Sequence, residues 1–188
     1  MAISSFPIQT NESSTITSTE AMSAIQAVLG GLTGFLVYND SGTPIVHTGG
    51  VDTVLTNDEL GAQTLKTFAP NGVTDIWNAS SGLFDFSELS NGDMVDIRLN
   101  IEVVTSSANQ EIEIDMELGV GGFSYLIPFS HDVYKTTGTK IEGGYEGIYM
   151  GDDNTRLNSA RFVFKSTDDA TITVSGWYCK IIKGSNIL

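Results

Sequence analysis

One cysteine, Cys179, stands in 188 residues. A lone thiol excludes an intrachain disulfide and a zinc site built from several cysteines. Its plain reading is a small buried hydrophobe in the last strand. Bases are also scarce, with nine Lys and Arg against 23 Asp and Glu, for a net charge of −14. So acidic a surface is repelled by phosphate backbones and by anionic bilayers, so neither nucleic acid nor membrane is an expected partner. The same repulsion keeps copies apart in solution, as suits a protein made in bulk. Long apolar runs are missing as well. No stretch approaches the roughly 18 consecutive apolar residues that span a bilayer. The opening MAISSFPIQT has neither the basic region nor the hydrophobic core of a secretory signal. Folding in a reducing cytoplasm is therefore expected, and the glycosylation patterns at Asn11-Glu12-Ser13 and Asn78-Ala79-Ser80 are expected to be idle.

Catalytic machinery is missing too. The two histidines, His47 and His131, stand in unrelated contexts, each read as a surface or turn residue rather than a general base. There is no Gly-x-Ser-x-Gly elbow to present a nucleophile. The glycine pairs Gly30-Gly31, Gly49-Gly50, Gly121-Gly122 and Gly143-Gly144 lack the lysine and the strand-to-helix setting of a phosphate loop, and read as turns. No enzyme activity and no cofactor are expected.

What fills the chain instead is Ser, Thr, Asn and 20 Gly, with nine Phe, six Tyr and two Trp as bulk for a core. This is the profile of short strands joined by many turns. Acid is spread unevenly. Residues before Asp93 hold nine acids and one base, Lys66 (net −8), and the remainder holds 14 acids and eight bases (net −6).

Residues 1–16 read as a polar arm. Thr17-Ser18-Thr19-Glu20 is a capping box, followed at helical spacing by Met22, Ile25, Val28, Leu29 and Leu32, with Gly30-Gly31 as the stop. A helix of about 12 residues is marginal alone, so its apolar side needs a partner. Phe35–Tyr38, the turn Asn39–Gly42 and Pro44–His47 read as a hairpin. Strands are also expected over Thr64–Phe68 and Val73–Trp77. Between Val95 and Val103 every odd residue is apolar; between Glu111 and Leu118 the even residues are apolar and the odd ones acidic. These read as two half-buried strands joined in a hairpin, with Arg98 opposite Glu117 and Glu102 opposite Glu113. Further strands are expected over Phe123–Phe129, Gly147–Met150, Arg161–Ser166 and Ala170–Ile182. At least six strands with no helix between them make an antiparallel sandwich or barrel. The expected organisation is an arm and short helix over 1–32, a β-rich region over 33–82 that can belong to the same sandwich, and a jelly-roll domain over 83–188.

Acidic turns at Asp152, Asp153, Asp168 and Asp169 offer the oxygen ligands that calcium prefers, though Asp is equally a common turn residue. The row Glu111, Glu113, Asp115 and Glu117 reads as a solvated strand face, with a basic partner surface as the rival reading. Trp77, Tyr125, Tyr134, Tyr145, Tyr149, Trp177 and Tyr178 are candidate sugar platforms, set against ordinary core packing.

Leu89-Ser90-Asn91-Gly92-Asp93-Met94-Val95-Asp96-Ile97-Arg98 enters the first long strand, and Asp169-Ala170-Thr171-Ile172-Thr173-Val174-Ser175-Gly176-Trp177-Tyr178 closes the sheet. Through these segments the stretch Leu83–Lys183 resembles the small jelly-roll domains of phage virion proteins, which are similar in shape to trimeric tumour necrosis factor and complement heads. The resemblance implies a homotrimer on a virus particle: a head decoration, a head fibre or a tail component, folded in the host cytoplasm and held to other virion proteins through residues 1–32. No collagen-like or coiled-coil stalk is present, which favours a compact knob. The alternative is a glycan-binding module that reads a cell-surface receptor. Loops rich in aromatic and Asp or Asn residues at one end of the sandwich would favour that alternative.

Overall fold

The computed structural model describes residues 31–184. The arm and the capped helix expected before Gly31 lie outside the described residues. Eleven strands and one short helix follow in the order β1 (Thr33–Asn39), β2 (Pro44–His47), β3 (Thr53–Val54), β4 (Trp77–Asn78), β5 (Leu83–Phe84), β6 (Met94–Thr105), β7 (Gln110–Val120), β8 (Tyr125–Tyr134), β9 (Gly138–Tyr149), α1 (Asp153–Leu157), β10 (Ser159–Ser166) and β11 (Ala170–Ile182). No helix among the described residues is long and apolar enough to cross a membrane.

The strands form two antiparallel sheets. In the first, β1 and β2 share one edge of β11, followed by β6 and β9. In the second, β3 and β5 share one edge of β10, followed by β7 and β8, with β4 outside β5. From β5 to β11 the chain crosses between the sheets at every step except β7 to β8, and this order is a jelly roll. Residues 33–84 supply an edge lane to each sheet, so the sandwich is continuous across position 83.

The alternating segments bury the sides their patterns mark. Val95, Ile97, Leu99, Ile101 and Val103 of β6 face Ile112, Ile114, Met116 and Leu118 of β7 in one core. Their pairing differs from the expected hairpin. β6 bonds to β11 and β9, whereas β7 bonds to β10 and β8. The link at Ser106–Asn109 is thus an arch between sheets. Arg98 lies beside Tyr178 and Tyr145 in the first sheet, and Glu117 pairs with Arg161 in the second at 2.6 Å. An arch and a hairpin satisfy the same inward pattern, so alternation alone does not separate them.

The first expected hairpin is also replaced. β1 and β2 run the same way along β11, with Asn39 opposite Gly176 and Pro44 opposite Thr173. They are one strand interrupted by a loop. Asp40 turns the chain by accepting from Gly42 N–H at 2.7 Å and Asp58 N–H at 2.7 Å, so the turn residues build a bump and no reversal. Of the strand expected over Thr64–Phe68 only Leu65 bridges to Val37, and of Val73–Trp77 only Trp77 is in a strand. Gly143-Gly144 lies inside β9, where a Cβ on Gly144 would sit 2.1 Å from the Phe129 ring. Asp152 caps α1 by accepting from Thr155 N–H at 2.8 Å, making a helix where a plain turn is expected. In β11 the extra residue Ser175 shifts the buried parity from Ile172 and Val174 to Trp177, Cys179 and Ile181. Gly176 is required beside it, because a Cβ would meet Tyr38 O at 2.5 Å.

Cys179 is buried as expected, and burial pushes its thiol pKa up. His47 is a correction. It is fully buried, with Nδ1 at 2.8 Å from Thr53 Oγ1 and its ring edge-on to Phe164. It ends β2 on the inward side, a placement set by pairing with β11.

Candidate interaction surface

The fold has two poles. Gly31 and Gly184 lie at one of them, where Lys183 N–H donates to Leu32 O at 2.7 Å. Asp93, fully buried, holds this end by accepting from Gly184 N–H and by pairing with Lys183, each at 2.8 Å. This near pole also carries α1 and the β7–β8 turn. The far pole consists of the loops at 48–52, 106–109, 135–137 and 167–169, all Thr, Ser, Gly, Asp, Asn, Lys, Ala and Val without an aromatic.

The two outer faces differ in chemistry. On the second sheet Glu117 pairs with Arg161 at 2.6 Å, Asp115 with Lys165 at 2.6 Å, and His131 lies 2.7 Å from Glu111. The acidic row is thus a ladder closed by the protein's own bases, where a solvated face is expected. Asp115 is only 1% exposed, with the Lys165 ammonium 2.6 Å from its carboxylate, and the Lys165 pKa is raised chiefly by that carboxylate. Glu117 is held below the usual carboxylate range chiefly by the hydroxyl of Ser124, then by Arg161.

The outer face of the first sheet is aromatic. Tyr178, Arg98 and Tyr145 form one cross-strand row, and Ile182, Met94 and Tyr149 form another. Its charges cancel: Asp96 and Glu102 against Arg98 and Lys180, with Lys180 at 3.9 Å from Asp96. At its β1 edge Phe35 stacks between Phe68 (5.1 Å) and Tyr178 (5.7 Å). A groove of about 480 Å³ opens here, lined by Thr33, Phe35, Thr67, Phe68, Tyr178 and Lys180. Gly34 makes it possible. A Cβ there would lie 2.4 Å from Phe68 O, so only glycine lets that segment cross β1 and accept from Phe35 N–H at 2.9 Å.

At the near pole the β7–β8 turn is clamped to α1. Asn154 accepts from Phe123 N–H at 3.0 Å and donates to Phe123 O at 2.9 Å, and the hydroxyls of Tyr125 and Thr155 are 2.8 Å apart. Gly119 and Gly121, at φ +73° and +96°, let the chain fold this tightly. Phe123 projects from this fixed turn 79% exposed.

The candidates read from sequence fall in separate places. Trp77 and Trp177 are 3% and 1% exposed and pack on each other at 5.3 Å, so neither can be a sugar platform. Tyr134 is part-buried against the core, and Tyr125 is tied to Thr155. Tyr145, Tyr149 and Tyr178 share the first sheet's outer face. Asp152 and Asp153 sit at the near pole, one as the cap of α1 and one on Arg156. Asp168 and Asp169 sit at the far pole, accepting from Ser107 and from Gly49 N–H. No group of three or more His, Cys, Asp or Glu that could hold a metal ion occurs among the described residues. Sequence reasoning missed Phe35, Phe68, Phe123 and Lys180. Phe123, beside Gly121-Gly122 in a polar turn, was the legible one; Phe68 reaches the surface only because of Gly34.

No protein family matches the chain, and no curated protein matches it in sequence. In shape it is similar to the chain of infectious bursal virus derived T=1 particles, with TM-score 0.48 and 11% identity, covering 82% of this chain and 32% of that one. It thus spans about a third of the length of that chain. It is similar to Eiger, a tumour necrosis factor from S. frugiperda, with TM-score 0.45 and 6% identity over 84% of this chain and 94% of that one. It is also similar to the vertex protein of PRD1, with TM-score 0.41 and 14% identity over 81% and 73% of the two chains.

Proposed function

We propose that the protein is a structural component of a virus particle: a self-associating, trimeric knob fixed through residues 1–32 and displayed on the surface. The observation that carries this reading is the polarity of the sandwich. Both ends of the described chain leave at one pole, joined by the Leu32–Lys183 bond, and four polar loops without aromatics form the other. A domain tethered at one pole projects its opposite pole. The virion setting rests on the resemblance of Leu89–Arg98 and Asp169–Tyr178 to phage jelly-roll domains. The far pole lacks the aromatic residues that a sugar-reading loop cluster would use, so the glycan reading has less support.

Light scattering at micromolar concentration tests the self-association and is expected to give three times the 20.1 kDa chain mass. Deletion of residues 1–30 tests the attachment while keeping Leu32 for its bond to Lys183. The truncated protein should keep its melting temperature and mass but no longer co-sediment with particles of its virus. A monomer at every concentration, or undiminished co-sedimentation, would refute the corresponding half.

A further inference from the structure

We propose that Phe123 of one copy seats in the Phe35–Phe68–Tyr178 groove of the next, closing copies into a ring. The inference rests on the self-association proposed above and says which surfaces make it.

Both partners of the contact are present on one molecule. The groove sets the rings of Phe35, Phe68 and Tyr178 beside Thr33, Thr67 and Lys180, and Phe68 at its rim is 56% exposed. Phe123 is the converse feature, an aromatic side chain held out on a turn whose backbone is fixed by Asn154 on both its N–H and its C=O. A rigid anchor loses little conformational freedom on binding, and large aromatics filling a pocket dominate interface energies. Solitary exposed aromatics are ordinary. An immobilised one matched by an aromatic groove on the same chain is a complementary pair.

Placement makes the contact cyclic. The groove flanks β1, at one lateral edge of the first sheet, and Phe123 adjoins β8, at the opposite lateral edge of the second. Both are near the pole where the chain ends leave, since Thr33 pairs with Ile182 and Leu118 with Tyr125 at that end. Two unlike patches at matching height on opposite flanks give a head-to-tail contact, which closes into a ring when the rotation allows. Charge agrees with this docking. The groove carries Lys180, whereas the helix clamped to Phe123 carries Asp152 and Asp153 against one base, Arg156, for a net −1. On a chain of net charge −14, most approaches between copies are repulsive; this one sets a helix of net −1 beside a lysine.

The test uses full-length Phe123→Ser and Phe68→Ser proteins, each checked for an unchanged melting temperature. Each variant alone should be monomeric, with its association midpoint raised about a hundredfold, as expected for a lost anchor. Mixed in equal amounts they should form a heterodimer of twice the 20.1 kDa chain mass. The groove of the first and the phenylalanine of the second still fit, and the two mutated patches cannot. Trimeric wild type with both variants still trimeric would overturn this contact and leave the self-association intact. Monomeric wild type would overturn the self-association itself, and the contact with it. Monomeric variants that do not associate on mixing would also overturn the head-to-tail arrangement.

Discussion

Ile101→Asp is the most discriminating single change for the sandwich. Ile101 is 1% exposed in the middle of β6, opposite Val174 on one side and Glu142 on the other. Removing its branched side chain costs about 2–5 kcal/mol for lost transfer energy and residual cavity. The new carboxylate then adds the several kcal/mol of a desolvated, unpaired charge. Its neighbour makes this worse. Glu142 is itself buried, and its pKa is raised first by desolvation and then by the charge of Asp132. Together these penalties reach the whole stability of an ordinary domain, about 5–15 kcal/mol, so the variant should be unfolded at pH 7 by circular dichroism. Ile101→Asn keeps the size without the charge, and the gap between the two variants should shrink as the pH falls toward the ordinary carboxyl range and both raised carboxyls protonate. Glu102→Ser, one residue on and facing out, should change stability by less than about 0.5 kcal/mol, or less than about 2 °C in melting temperature. Similar melting temperatures for Ile101→Asp and Glu102→Ser would refute the inward placement of the odd residues of β6.

Three further outcomes follow from buried charge. Glu142→Gln should stabilise the protein at pH 7. A raised folded-state pKa means stability present below the ordinary carboxyl value of 4.5 and lost as pH rises through the folded value, so the gain should vanish in urea melts at pH 4. His47 behaves oppositely: burial lowers its pKa from 6.5, so its share of stability is complete above 6.5 and falls with acidification. His47→Gln should flatten the stability profile as the pH falls below 6.5; an unchanged slope there would show that His47 is reached by solvent. Lys165→Met should cost about 3 kcal/mol, because Asp115 is left buried and unpaired. Adding Asp115→Asn should recover most of it, and a purely additive double variant would deny the pairing.

The sequence by itself determined which sides of the strands are buried. Odd residues of Val95–Val103 and even residues of Ile112–Leu118 all point inward, because alternating side chains leave a strand on opposite faces and water sorts them. It also located Cys179 in a buried last strand and the turns at Gly121 and Asp168. Strand partners were decided only by the tertiary structure. The same pattern on β6 and β7 serves a hairpin within one sheet or an arch between two, and the polar residues at Asn39–Gly42 serve a reversal or a bump in one lane. The aromatic groove depended on this level too, since Phe68 lies over β1 only where Gly34 leaves room for its carbonyl. The shift of parity at Ser175 likewise appears only once β11 has β6 to slip against. Burial is a property of each residue and its immediate periodicity, whereas pairing is a competition among segments far apart in the chain, settled by which set of backbone hydrogen bonds and interlocking side chains closes around one core.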